Sequence, residues 1–247
     1  MKTTSHLAAR KAVVLASCGL IAASTQLSAQ ANSPSIPVGW ITAFPTVVQT
    51  GTKPTLTWDI SYPSVVKDFV EIISPATINP KAELDVEVRV LGNGVTVNTS
   101  NGGYTFVNAE ATLSFNGGSY NRIFYGTNNN VNPNTIVYSK TKVLANQKLR
   151  FGGRYYYNNA WGPTFTSQTS GQNVRTLVSG DTPPSKVPQY GAPTLESFIR
   201  PYLGSNGKVK IGPMDVIVFM ELTHTNESDS GYDLQDMVLL VTFKERK

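Results

Sequence analysis

Short runs in which apolar and polar residues alternate, each cut off by glycine and asparagine, recur along most of this chain and leave it few folds to choose from. In residues 55–62, TLTWDISY, the residues Leu56, Trp58, Ile60 and Tyr62 alternate with Thr55, Thr57, Asp59 and Ser61. In residues 83–92, ELDVEVRVLG, Leu84, Val86, Val88 and Val90 share one face while Glu83, Asp85, Glu87 and Arg89 share the other. A period of two is that of a strand with one buried side. Further runs of the same kind are YTFV, ATLSF, RIFYG, TIVYS, KLRFGGRYYY and VRTLV, parted by NGG (101–103), NGGS (116–119) and NNNVNPN (128–134). Such clusters supply the positive φ that tight hairpins need. The pattern predicts an all-β fold, a β-sandwich of Ig-like or jelly-roll-like modules. A Gly-Gly pair leads to an aromatic residue at Tyr104, Tyr120 and Tyr155, but the uneven spacing makes this a turn habit and not a repeat.

One short helix is expected near residues 194–202, where Leu195, Phe198, Ile199 and Tyr202 fall at helical spacing, Thr194 caps the start and Pro201 ends or kinks it. It follows the proline-rich stretch 179–193. The runs DVIVFMEL (215–222) and DMVLLVTF (236–243) are apolar on both faces, so each should be a strand covered on both sides, the two pairing as a hairpin across the loop between them. The expected organisation is a signal peptide over 1–31, a first, Ig-like β module over 32–108, and a second over 109–247 carrying the helix and the C-terminal hairpin.

The first 31 residues combine Lys2, Arg10 and Lys11 with an apolar run from Ala12 to Ala23 and an Ala29-x-Ala31 cleavage pattern. That anatomy is that of a secretory signal; the apolar run falls short of the ~20 residues a membrane helix needs. A lipidated Cys18 is the competing reading, opposed by the apolar GLIAAS that follows it. Cleavage after Ala31 removes the single cysteine, one of the two histidines and three basic residues, lowering the formal charge from +5 to +2. No nucleic-acid footprint and no disulfide framework then remain. The expected localisation is secreted, periplasmic or extracellular, in a bacterium, with no transmembrane segment after cleavage. An outer-membrane barrel is disfavoured because most strands are short or carry charge on one side, and because the chain closes on KERK.

Catalytic chemistry finds few parts. His224 is the only histidine left, no G-x-S-x-G elbow is present, and a glycosidase pair such as Glu110 with Glu221 has nothing to mark it. The segment GGRYYYNNAWGPTF (152–165) is the best ligand surface, with Tyr155, Tyr157 and Trp161 as contact residues for a glycan or cell-envelope component; rings stack on sugar faces while neighbouring amides meet hydroxyls. The reading set beside it is that these rings simply fill the sandwich core.

The loop HTNESDSGYDLQD gathers Glu227, Asp229, Asp233 and Asp236, a carboxylate set for calcium, which takes roughly six to eight oxygens. The alternative is a solvated, acidic hairpin tip that guards two very apolar strands. The segment DLQDMV, preceded by MELT, resembles the D-x-D-(F/Y)-N-D-(L/V)-V motif that leads into a strand in a secreted bacterial family of unknown function. Asp233 and Asp236 fall on the motif's later aspartates, while Gly231, Leu234 and Gln235 depart from it. The resemblance covers about the last thirty residues and implies secretion and a β fold. The function expected overall is a secreted, non-catalytic binding or structural component, with a carboxylate-pair carbohydrate enzyme or a self-assembling envelope subunit as alternatives.

Overall fold

The computed structural model describes residues 64–73, 75–168, 171–183 and 199–246, and the backbone alone of 38–44 and 55–61. The proposed signal sequence, and all but the end of the expected helix, lie outside the described residues. In chain order the strands are β1 (Val38–Phe44), β2 (Thr55–Ser61), β3 (Val70–Ile73), β4 (Thr77–Pro80), β5 (Leu84–Gly92), β6 (Thr96–Asn98), β7 (Tyr104–Phe106) and β8 (Asn108–Phe115). They continue as β9 (Asn121–Gly126), β10 (Ile136–Val143), β11 (Leu149–Tyr157), β12 (Ala160–Trp161), β13 (Phe165–Thr166), β14 (Val174–Val178), β15 (Asp215–Met220) and β16 (Met237–Glu245). A single helical turn, α1 (Val66–Phe69), precedes β3.

Two antiparallel sheets carry most of this. A five-stranded sheet runs β10-β5-β16-β15-β14, and a larger sheet runs β3-β4-β11-β8-β9 with β12 and β13 paired to β11. The pleat explains what lies between them. Val86, Val88 and Val90 of β5, Val216 and Val218 of β15, and Leu239, Val241 and Phe243 of β16 form one continuous core with Ile78, Ala109, Ala111, Leu113, Leu149 and Phe151 of the larger sheet. The outward residues of β5 form an ionic ladder instead. Glu87 meets Lys244 and Arg89, Asp85 meets Arg246 at 2.7 Å, and Arg246 also reaches Glu83 at 3.0 Å.

The C-terminal hairpin is covered on both sides, as its apolar pattern demands. Ile217, Phe219 and Val238 point away from the main core into a second cluster, roofed by Ile199, Val209, Tyr232 and Leu234. Ile199 leads into a turn of 3₁₀ helix, Arg200–Tyr202, whose early Pro201 lacks an N–H that would be unpaired there anyway.

The expected division into modules at 108/109 does not survive. Residues 32–247 form one compact unit, and β5 of the expected first module pairs along both edges with β16 and β10 of the second. A strand so apolar on one face finds its cover wherever a complementary sheet offers it, and sequence proximity does not enter.

Candidate functional site

Two clusters of polar side chains stand out from this frame, one on the open face of the larger sheet and one buried behind the C-terminal hairpin. On β8 the pleat turns Ala109, Ala111 and Leu113 into the core and Glu110 to the opposite face. Strand register places Tyr125, Glu110 and Arg154 in one row across β9, β8 and β11. Arg122 and Tyr125 are three residues apart and would point to opposite faces of a regular strand. The β8–β9 register shifts between Ala111 and Thr112, and this bulge brings both side chains over the same face, with the Arg122 guanidinium 4.9 Å from the Tyr125 ring centre.

β11 then turns back on itself. Asn158 and Asn159, both at positive φ (51° and 59°), form the two-residue turn that fits strand twist, so Trp161 lands opposite Tyr156 with ring centres 5.0 Å apart. Tyr125 approaches the same indole at 5.8 Å, and the Arg154 guanidinium lies 4.1 Å from its centre. Glu110 ties the group together. Its two oxygens accept from Arg122 Nε at 2.6 Å and Arg154 Nε at 2.7 Å, and its side chain is only 5% exposed against 51% and 34% for the arginines. A carboxylate this buried is costly unless paired, and here it is paired twice.

This geometry redistributes the expected ligand residues. Trp161 is on the surface, 36% exposed, in a hairpin and not a free loop, and Tyr157 is exposed beside the turn. Tyr155 belongs to the interior: it packs on the main core, and its ring occupies the space a Gly162 side chain would need, 2.3 Å from an ideal Cβ. The rings around Trp161 are those of Tyr125 and Tyr156. Tyr125, Arg122, Arg154 and Glu110 reach Trp161 only through the strand register and the bulge, which residue type alone does not reveal. Glu110 and Glu221, the pair considered for glycoside chemistry, are both buried and held in separate networks.

The second cluster gathers Glu221, Asp233 and Asp236. Glu227 and Asp229 are not part of it; both are exposed, and Glu227 pairs with Arg175 at 3.3 Å. The four loop carboxylates thus divide into a buried pair, Asp233 and Asp236, and an exposed pair, Glu227 and Asp229. Glu221 follows β15 and is fully buried. Its Oε1 accepts from the N–H groups of Thr223 and His224 and from the Thr223 hydroxyl. Its Oε2 accepts from the N–H groups of Asp233 and Leu234, the latter residue held in the left-handed region at φ 59°. Asp236 hydrogen bonds to Glu221 and accepts the Leu222 N–H at 2.7 Å, while Asp233 accepts the Gln235 N–H at 2.9 Å.

Electrostatics separate the two coupled acids. Burial and the Glu221 charge, with Asp233 adding to them, push the Asp236 carboxyl well above the ordinary aspartate range. Burial alone would raise Glu221 too, but hydrogen bonds from Asp236, Thr223, Asp233 and His224 outweigh it and hold the carboxyl below its usual value. The consistent state is an ionised Glu221 accepting a proton shared by Asp236. Glu221, Asp233 and Asp236 each bring a carboxylate oxygen within 4.8 Å of the others, while both oxygens of Glu221 also accept from N–H or O–H donors.

His224 lies beside this cage with Nδ1 2.7 Å from the Thr223 hydroxyl and its ring against Gly231. Among the described residues, no helix is long and apolar enough to cross a membrane. Compared with known proteins, the chain matches no protein-family model and no curated protein.

Proposed function

We propose that this protein is a secreted, non-catalytic binding component of the cell envelope or its surroundings, and that it holds a glycan on the open face of its larger sheet. The observation that carries this reading is the group of Trp161, Tyr125 and Tyr156 with Arg122 and Arg154, fixed in place over a buried Glu110. Tyr125 and Trp161 are 42% and 36% exposed, although each has enough apolar area to favour burial. Their surroundings explain why they keep one arrangement: cation–π contact and neighbouring rings orient them before any ligand arrives, which lowers the entropy lost on binding. Sugar rings have apolar faces that stack on such rings and hydroxyls that take hydrogen bonds from arginine and asparagine. The signal-like N-terminus supports an extracytoplasmic location.

Isothermal titration against a panel of bacterial and plant oligosaccharides tests the reading. Trp161→Ala and Tyr125→Ala should each weaken binding by at least tenfold, while the thermal midpoint moves by only a few degrees because both residues lie at the surface. Binding that survives both substitutions would remove this face from the function.

A further inference from the structure

We infer that the ligand of this face is an acidic glycan, its carboxylate or sulfate group held by Arg122 and Arg154 while a sugar ring packs beside Trp161 and Tyr125. The inference rests on the glycan reading above and deepens it.

Charge is the first ground. Two guanidinium groups surround one buried carboxylate, so the cluster carries one positive charge in excess. A neutral sugar does not need that charge. Geometry is the second ground. Both arginines meet Glu110 through Nε, which leaves their terminal nitrogens uncommitted to that carboxylate. An arginine presents its nitrogens as a planar fork that matches a carboxylate or sulfate edge with two parallel hydrogen bonds.

Preorganisation is the third. Arg154 is stacked on the Trp161 ring at 4.1 Å and Arg122 lies 4.9 Å from Tyr125 and 5.6 Å from Trp161, so both forks are anchored at the back by Glu110 and at the side by rings. Cation and aromatic surface are thereby adjacent. Glu110 acts as a positioning residue: it sets the two arginines and stays beneath the surface.

The test is titration of the purified chain with three probes of matched length: an oligogalacturonate, a sulfated oligosaccharide and a neutral oligosaccharide. One or both anionic probes should bind roughly ten- to hundredfold more tightly than the neutral one, as charge-assisted hydrogen bonds allow. Raising the salt should narrow that gap, and comparison of the two anionic arms distinguishes a carboxylate ligand from a sulfate ligand. Arg122→Gln and Arg154→Gln should each reduce the anionic preference about tenfold. Each leaves Glu110 one partner, so the fold persists, and a thermal melt of each variant verifies it. Arg122→Lys, which keeps charge and loses the fork, should fall between. Equal affinity for neutral and anionic probes, or an anionic preference indifferent to both substitutions, overturns the inference and leaves the glycan reading standing. Absence of binding to all three probes overturns both.

Discussion

Glu221 and Asp236 show how strongly position alone can divide two residues of nearly the same chemistry. Glu221 receives four backbone N–H groups and a hydroxyl, and Asp236 receives one N–H, so the charge settles on Glu221 and the proton on Asp236. Asp236→Asn preserves the shape, an amide N–H replacing the shared proton, and should leave stability close to that of the native protein. Asp236→Ala strands the Leu222 N–H and should cost about 1–3 kcal/mol in denaturant melts. The pH dependence has a definite sign. Because the folded Asp236 keeps a proton that the unfolded chain has already lost, stability falls as pH rises from the usual aspartate value toward the raised one. Glu221 acts oppositely, its contribution being present above its unfolded value and lost as pH falls through the depressed one. Asp236→Asn should therefore flatten the decline on the alkaline side and leave the acid limb in place, measured as denaturation midpoints across pH 4 to 9. Identical profiles for the two proteins would mean that no proton is shared. Melts in millimolar calcium and in chelator test whether the cage takes the ion: a site would raise the midpoint by mass action, and equal midpoints would mean that it holds none.

At the scale of the element, alternation gave a reliable account of β5, where Leu84, Val86 and Val88 are buried and Asp85, Glu87 and Arg89 form the ladder. It also foretold the doubly covered β15 and β16. Irregularities were what it missed. The β9 bulge inverts the side on which Arg122 should lie, and the Asn158-Asn159 turn folds Trp161 onto Tyr156; both depend on a neighbouring strand that a periodicity does not contain. The acid cage was hidden for a similar reason: its donors are backbone N–H groups, which leave no mark on residue type. The Gly162 N–H donates to the Tyr155 carbonyl at 2.9 Å, and the Tyr155 ring fills the space of the missing side chain. Gly162→Val should push the β12 hairpin off the sheet, costing about 1–3 kcal/mol, shifting Trp fluorescence to the red and weakening glycan binding with it. An unchanged emission maximum would show that the hairpin tolerates displacement of Tyr155.

Considered whole, the molecule is organised by sheet partners and not by chain order. The strand with the clearest one-sided pattern, β5, sits between β10 and β16, and β4 pairs with β11 through Ile78 opposite Leu149. Contacts that join distant parts of the chain carry the core, so neither half has a buried face of its own to close. Residues 109–247 lack β5, and without it β16 and β10 each expose an edge and the valine face of the core loses Val86, Val88 and Val90. Burying a valine is worth about 1.5–3 kcal/mol, so the loss of these three alone approaches the entire stability of an ordinary domain. A fragment of residues 109–247 should therefore remain unfolded or aggregate through its free edges, whereas residues 32–247 should unfold in one cooperative step. Circular dichroism melts of both, with amide dispersion in two-dimensional NMR, check this. A folded, dispersed fragment would mean that the larger sheet can close a core without β5, and that the ligand face on β8, β9 and β11 is separable from the C-terminal hairpin.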